Sequence, residues 1–299
     1  MCTTCGCSDT NEIVYTDAQT GATVTTTREG ATGAMHAHAD GTMHSHDHGH
    51  DHDHDAGHAH HQHDDHDPVG QAHAPGNTIE LEQAILAKNQ VLAERNRGWL
   101  AGRDILALNL VSSPGSGKTS LLERTLRDLR GRHEISVIEG DQATLNDAER
   151  IRATGARVIQ INTGTGCHLE ADMLARGLQQ LGPSPGSMLM IENVGNLVCP
   201  ALFDLGERAK VVILSVTEGE DKPIKYPHMF KASRLMLLNK IDLLPHLRFD
   251  VDRCIAYARQ VNPHLEVLRV SAETGEGMDA WYGWLERQAA ALRVARAIA

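Results

Sequence analysis

The stretch Ser112-Ser113-Pro114-Gly115-Ser116-Gly117-Lys118-Thr119 follows an apolar run at 105–111 and leads into a helical pattern that begins Ser120-Leu121-Leu122. Strand, glycine-rich turn and helix in that order leave few folds open, because the turn must gather backbone N–H groups and a helix N-terminus around one point. That point suits phosphate. Gly115, Ser116, Gly117 and Ser120 are expected to line it, with the Lys118 ammonium as a point charge on the β- and γ-phosphates and the Thr119 hydroxyl on Mg2+. The general pattern Gly-x-x-x-x-Gly-Lys-Ser/Thr opens on glycine, whereas this chain has Ser112 there.

The base is indicated further along, where Leu235-Met236-Leu237-Leu238 runs into Asn239-Lys240-Ile241-Asp242. A carboxylate accepts from both N1–H and the exocyclic amine of guanine. Adenine has neither donor on that edge, so Asp242 would be left unpaired by ATP. Lys240 is expected to lay its stem on the base. Ser271-Ala272-Glu273-Thr274-Gly275, after the strand 266–270, resembles the loop whose backbone N–H meets guanine O6 in GTPases. Order and spacing together point to GTP and GDP as ligands.

Charge is unevenly spread. The chain carries 39 acidic and 28 basic residues, and its whole net charge of −11 falls within residues 1–77. No basic stripe is available to neutralise a phosphate backbone, so no nucleic-acid partner is expected. No apolar stretch approaches the ~20 residues of a membrane span, and the N-terminus has no apolar signal segment, so the expected site of action is the cytosol, away from membranes. Six cysteines in such a compartment read as thiolates or metal ligands rather than a disulfide framework.

Residues 1–76 are poor in large apolar side chains and are expected to stay disordered unless metal binds. Order is expected to begin with the capping pair Asn77 and Glu80, opening a helix that buries Ile79, Ile85, Leu86, Leu92 and Trp99. Short apolar runs then alternate with amphipathic segments. Strands are predicted near 105–111, 135–139, 157–161, 188–192, 210–216, 235–239 and 266–270, with helices near 119–130, 168–180, 250–261 and 277–296. This is the rhythm of an α/β domain over 77–299 built on a mostly parallel, doubly wound sheet.

Two groups of metal donors stand apart in the chain. Cys2, Cys5 and Cys7 form a Cys-x-x-Cys-Gly-Cys cluster able to wrap one ion, Ni2+ if the donors lie in a plane and Zn2+ if they are tetrahedral. Behind it, fourteen of the nineteen histidines fall between His36 and His73, interleaved with Asp. This His-rich tract at 35–73 is suited to buffering metal rather than selecting it. The second group is Cys167, His168 and Cys199. Both of their loops leave the carboxyl ends of predicted strands, as the phosphate turn does, so one sheet edge should hold all three. Two thiolates and an imidazole make a three-ligand site with a position left open. Cys199 alone would also suit a buried core cysteine, and Cys254, mid-helix, reads as core.

Glu192 ends a strand and is followed by Asn193-Val194-Gly195. Its carboxylate could hold Mg2+ through water while the Gly195 N–H meets the γ-phosphate. Loss of that phosphate would move residues 193–199, and Cys199 closes the segment. Asp141, after the strand 135–139, is either a second Mg2+ or water contact or a helix N-cap.

The phosphate turn, Glu139-Gly140-Asp141, Gly164-Thr165-Gly166-Cys167-His168, the run from Glu192 to Pro200, Glu218-Gly219-Glu220-Asp221-Lys222-Pro223 and Asn239-Lys240-Ile241-Asp242 together resemble the nickel-incorporation GTPases of nickel-iron hydrogenase maturation. The likeness covers 78–299 and implies slow GTP hydrolysis with Lys118, Asp141 and Glu192 at the catalytic centre. It also implies a GTP-dependent homodimer sharing a Ni2+ or Zn2+ site at Cys167, His168 and Cys199, and a tight nickel site at Cys2, Cys5 and Cys7. The partners implied are other nickel chaperones and the hydrogenase large-subunit precursor. It leaves Lys222 without a role. The urease nickel GTPases share the fold but present Cys-Pro-His, and a nickel store with a vestigial nucleotide site would not need Lys118, Thr119, Glu192 and Asp242 intact.

Overall fold

The computed structural model describes residues 12–27, 36–37, 43–44, 75–141, 146–164 and 166–298. Cys2, Cys5, Cys7 and nearly all of the His-rich tract lie outside the described residues. Strands β1 (Glu12–Asp17), β2 (Thr23–Thr27), β3 (His36–Ala37) and β4 (Met43–His44) precede a long helix, α1 (Pro75–Ala101). The first half of the domain then runs β5 (Leu106–Ser112), α2 (Lys118–Asp128), β6 (Ile135–Asp141), α3 (Asn146–Ala153), β7 (Arg157–Asn162) and α4 (Ala171–Leu181). The second half runs β8 (Met188–Glu192), α5 (Cys199–Leu202), β9 (Ala209–Ser215), α6 (Lys222–Lys225), α7 (Pro227–Ala232), β10 (Ser233–Asn239), a 3-10 turn (Ile241–His246), α8 (Val251–Val261), β11 (Glu266–Arg269) and α9 (Met278–Ile298).

One nine-stranded sheet has the order β11-β10-β9-β5-β8-β6-β7-β1-β2. Strands β11 through β7 are parallel, as predicted. Both faces are covered, which is why these strands read as unbroken apolar runs rather than alternating ones. Leu121 and Leu122 of α2 and Trp281 and Trp284 of α9 pack on Leu108, Leu110 and Val211. Leu100 of α1 and Met173 and Leu174 of α4 cover Ile138, Ile159 and Ile191 on a second cluster. The strand order sends the chain to both sides of β5, so the loops after β5, β6, β7, β8 and β10 converge at the carboxyl edge, where ligands bind in such sheets.

The N-terminal reading needs correction at 12–27. These residues form a hairpin, with β1 antiparallel to both β2 and β7, so the sheet is mixed. Ile13 and Tyr15 are buried in the α4-side cluster and supply the hydrophobic burial that the Thr-rich composition concealed. A two-residue ladder, His36 opposite His44, also falls inside the segment expected to lack structure. The stripe expected on α1 is corrected in part: Ile85 is exposed, Leu86, Leu92 and Trp99 are half-buried with Trp99 against the α4-side cluster, the side chain of Ile79 lies outside the described residues, and the fully buried positions among those described are Asn89, Ala93, Asn96 and Leu100. The helical period is right but the contact is polar. Asn89 donates to the Asp204 carbonyl and accepts from the Ala171 N–H, while Asn96 donates to the carbonyls of Ala171 and Leu205. A helix lying over the orphan backbone groups of a helix start and a loop needs amide side chains there.

Candidate nucleotide and metal site

Ser112 ends β5, and six residues later Lys118 opens α2. Gly115 and Gly117 take φ of 74° and 88°, the left-handed region that glycine enters without a Cβ penalty. A Cβ on Gly117 would also lie 2.6 Å from Asn239 Nδ2. Gly117→Ala is therefore expected to cost about 1–2 kcal/mol from backbone strain alone, more once Asn239 shifts. A thermal melt of the variant reads this, and an unchanged Tm contradicts the close approach.

Asn239, Lys240 and Asp242 lie at this edge, beside the glycine-rich turn and the Ser271-Ala272 loop. Asn239 donates from Nδ2 to the Ser116 carbonyl (3.0 Å) and accepts at Oδ1 from the Ala272 N–H (3.2 Å), stitching the phosphate turn to the Ser271-Ala272 loop. Lys240, itself left-handed at φ 62°, donates to the Gly115 carbonyl at 2.7 Å. Asp242 accepts from the Ser271 hydroxyl at 2.5 Å, which holds its carboxylate in one orientation before any base arrives. Buried Glu192 sits across the mouth of α2, accepting from Thr119 Oγ1 at 2.7 Å and pairing with Lys118 Nζ at 3.3 Å through the same oxygen. Ser120, on the exposed side of that turn, accepts from Arg150. Gly195 lies against the phosphate turn, where a Cβ would be 3.2 Å from Pro114 Cα. Asp141 ends β6, and residues 142–145, between it and α3, lie outside the described residues.

Sequence reasoning missed Glu139. It lies opposite Glu192 in the β6–β8 register and is buried. Desolvation, then the neighbouring Glu192 and Asp141 charges, push its carboxyl up to about 9 from 4.5, with Lys118 opposing. Between those two values the folded chain holds a proton that the unfolded chain has released, so this group makes stability fall as pH rises through the window. Glu139→Gln should match the native chain near pH 5 and melt higher than it near pH 8.5. If the two melting curves run in parallel across the pH series, Glu139 is ionised in the fold.

Cys167, His168 and Cys199 do come together, with their donor atoms within 4.8 Å of one another. Cys167 Sγ stands 3.6 Å from His168 Nδ1, and the His168 ring lies 4.0 Å from that of Phe203. All three are nearly buried, while Val198 and Leu202 on either side of Cys199 are exposed. Cys199 is buried as a core cysteine would be, and it stands with Cys167 and His168 in a donor set of chemistry suited to a borderline ion. Cys254 is core, its thiol pushed up to about 12 by burial. The link to the nucleotide edge is direct. Asn193, the residue after Glu192, accepts at Oδ1 from the N–H of Leu169, the residue after His168, at 3.2 Å. Asn196 donates to the Cys167 carbonyl at 3.5 Å, and Leu169 fills the space above Gly140, where a Cβ would meet it at 2.8 Å.

This arrangement defines a P-loop nucleotide-binding protein with a thiolate-imidazole cluster on the same edge of its sheet. A family model described as the CobW/HypB/UreG nucleotide-binding domain matches residues 106–269. The hydrogenase maturation factor HypB of Rhizobium leguminosarum bv. viciae is 62% identical over 226 residues, 74% of this chain and 76% of that protein. HypB of Escherichia coli strain K12 is 51% identical over 294 residues, 96% of this chain and 99% of its own length. A solved structure of HypB from Helicobacter pylori in complex with nickel aligns with a TM-score of 0.64 at 35% identity, over 68% of this chain and 95% of that one. The chain belongs to the CobW/HypB/UreG family, on its HypB branch.

Proposed function

We propose that the protein is a GTPase that carries Ni2+ as cargo and couples slow hydrolysis to its insertion into a nickel-iron hydrogenase large-subunit precursor, working in the cytosol with other nickel chaperones. Support comes from the maturation factors it resembles, from the nickel complex of one of them, and from the Asp242 carboxylate held by Ser271 beside Asn239 and the glycine-rich turn. Among the described residues no helix is long and apolar enough to cross a membrane.

Lys118 and Thr119, which share one oxygen of Glu192, are the groups that meet the phosphates. The other oxygen of Glu192 and the Ser116 hydroxyl are buried without a hydrogen-bond partner, which fits polar atoms built to face a ligand. Mg2+ would be held by Thr119 and Glu192 with Asp141 at the next strand end, and supplies neutralisation of phosphate charge. Arg150 lies beside this turn but is engaged by Glu123 at 2.6 Å and Ser120 at 3.2 Å, so turnover is expected to be slow without an arginine at the phosphates. The apolar rim of Val198 and Leu202 around Cys199 suits a second copy of the chain in the GTP state, sharing an ion, Ni2+ or Zn2+, across the pair.

The observation that carries the coupling is the Asn193–Leu169 hydrogen bond, which ties the residue after Glu192 to the residue after His168. Nucleotide state can then bias the donor geometry, and linkage makes the effect reciprocal. The test uses the full chain with Cys2→Ser, Cys5→Ser and Cys7→Ser, so that thiolate-to-nickel charge-transfer absorption reports only the domain cluster. Ni2+ affinities in GDP and in a non-hydrolysable GTP analogue should differ several-fold to about a hundredfold. Equal affinities would sink the coupling.

A further inference from the structure

On the face of β5 that carries the buried residues Ala107 and Val111, the position between them is Asn109, 0% exposed. An amide in the middle of a buried strand costs about 1–3 kcal/mol unless its polar atoms are matched. Asn109 is matched at both ends: Nδ2 donates to Glu207 Oε1 at 3.1 Å, and Oδ1 accepts from Asn193 Nδ2 at 3.2 Å. Asn193 in turn accepts from the Leu169 N–H, so Asn109 stands one link behind the loop of His168. At the other end Glu207 is buried and paired with Lys210 Nζ at 2.6 Å, and Lys210 lies opposite Asn109 in the β5–β9 register. Burial alone would raise the Glu207 carboxyl, but the Lys210 ammonium and the hydrogen bonds around it hold it below the ordinary carboxylate range.

The ion pair has a second arm. Lys210 Nζ also donates to the Phe203 carbonyl at 3.0 Å, and the other Glu207 oxygen accepts from the Leu205 N–H at 2.7 Å. Phe203 caps α5, the helix that opens on Cys199, and its ring is the one that lies 4.0 Å from that of His168. One buried pair therefore reaches both halves of the donor set: through Asn109 and Asn193 to the residue after His168, and through Phe203 to the segment of Cys199. An ion pair in such a place adds little net stability over apolar side chains of similar volume, but its hydrogen bonds have direction. We propose that Asn109, Glu207 and Lys210 are positioning residues that hold the Cys167-His168 loop and the Cys199 helix at one separation, and so set how tightly the cluster binds a divalent borderline ion. The ion in this statement rests on the proposed function; the hydrogen-bonded chain does not. Partners behind a metal ligand act in this way by fixing its orientation before the ion arrives.

The test uses the full chain with Cys2→Ser, Cys5→Ser and Cys7→Ser as its parent. Asn109→Val cuts the first arm with a side chain that suits a strand. Glu207→Gln with Lys210→Met cuts the second, and leaves an acceptor oxygen for Asn109 and no unpaired charge. Ni2+ affinity is read from thiolate-to-nickel charge-transfer absorption, and the ligand-field bands of added Co2+ report how the donors are arranged. Each variant should bind Ni2+ about 10–100-fold more weakly than the parent, the scale for losing a group that orients a metal ligand, and should shift the Co2+ bands. GDP affinity should stay at the parent value, with a cooperative melt showing that the domain is folded. Asn109→Thr and Lys210→Arg, which keep a hydroxyl or a charge but move the donor, stand in for a variant that fails to fold. A purely structural role would lower the melting temperature alone, so parent Ni2+ affinity with unshifted Co2+ bands in either folded variant would overturn the positioning. Failure of the parent itself to take up Ni2+ at the cluster would instead remove the reading of Cys167, His168 and Cys199 as a nickel site, and the proposal with it.

Discussion

Lys118→Ala should lower GTP hydrolysis by about a thousandfold, the scale expected when a preorganised charge is removed from a site that shields it from water. The side chain is 13% exposed and its partner Glu192 only 3%, so the loss has a second consequence. Glu192 would be left buried beside Glu139 with no cation, and breaking a buried pair from one side costs about 3–5 kcal/mol. The variant should therefore melt earlier as well as turn over more slowly. Lys118→Arg separates the two effects, because it restores the positive charge without the compact ammonium. Recovery of the melting temperature with hydrolysis still low is the expected result. Single-turnover hydrolysis by the alanine variant within tenfold of the native rate would show that Lys118 is not at the phosphates.

Asp242→Asn is expected to weaken GTP binding by about 100-fold to 10,000-fold and to strengthen binding of xanthosine triphosphate. Two charge-assisted bonds to the N1–H and the exocyclic amine of guanine, at about 1.5–3 kcal/mol each, set that scale. An amide placed there turns an N–H toward donors, whereas xanthine offers a carbonyl in place of the amine. Orientation makes the effect large: Ser271 already holds the carboxylate at 2.5 Å, so the native site spends little freedom on ordering it. Competition titrations with guanosine, xanthosine and adenosine triphosphates decide the matter. ATP bound as well as GTP by the native chain would remove Asp242 from the base.

The conformation of the glycine-rich turn and the placing of the Asn-Lys-x-Asp run at a strand end were legible because each is local. Gly115 and Gly117 are needed for backbone angles set within a few residues, and Asn239, Lys240 and Asp242 sit on one strand end whatever the neighbours. The parallel strands were legible for a related reason, since burial on both faces leaves an unbroken apolar run. Glu139 was not, because nothing in Glu139-Gly140-Asp141 says that its strand lies beside that of Glu192. The asparagines of α1 were not, because their partners are backbone groups around Ala171 and Leu205, far along the chain.

The sequence by itself determined the side chains available: a glycine-rich turn that opens a helix on Lys118 and Thr119, an Asn-Lys-x-Asp run at a strand end, and cysteine and histidine at 167, 168 and 199. Those assignments depend on side-chain type and short spacing, which folding does not alter. Only the tertiary structure decided which groups share a field or a hydrogen bond. It set Glu139 against Glu192, whose charge adds to burial in pushing the Glu139 carboxyl up, tied the Leu169 N–H to Asn193, and placed both open ends of the β1–β2 hairpin at the sheet edge that carries Cys167, His168 and Cys199. The reason is register: strand neighbours and their alignment are fixed by packing summed over two faces of a sheet, and a chain read in order carries that only implicitly.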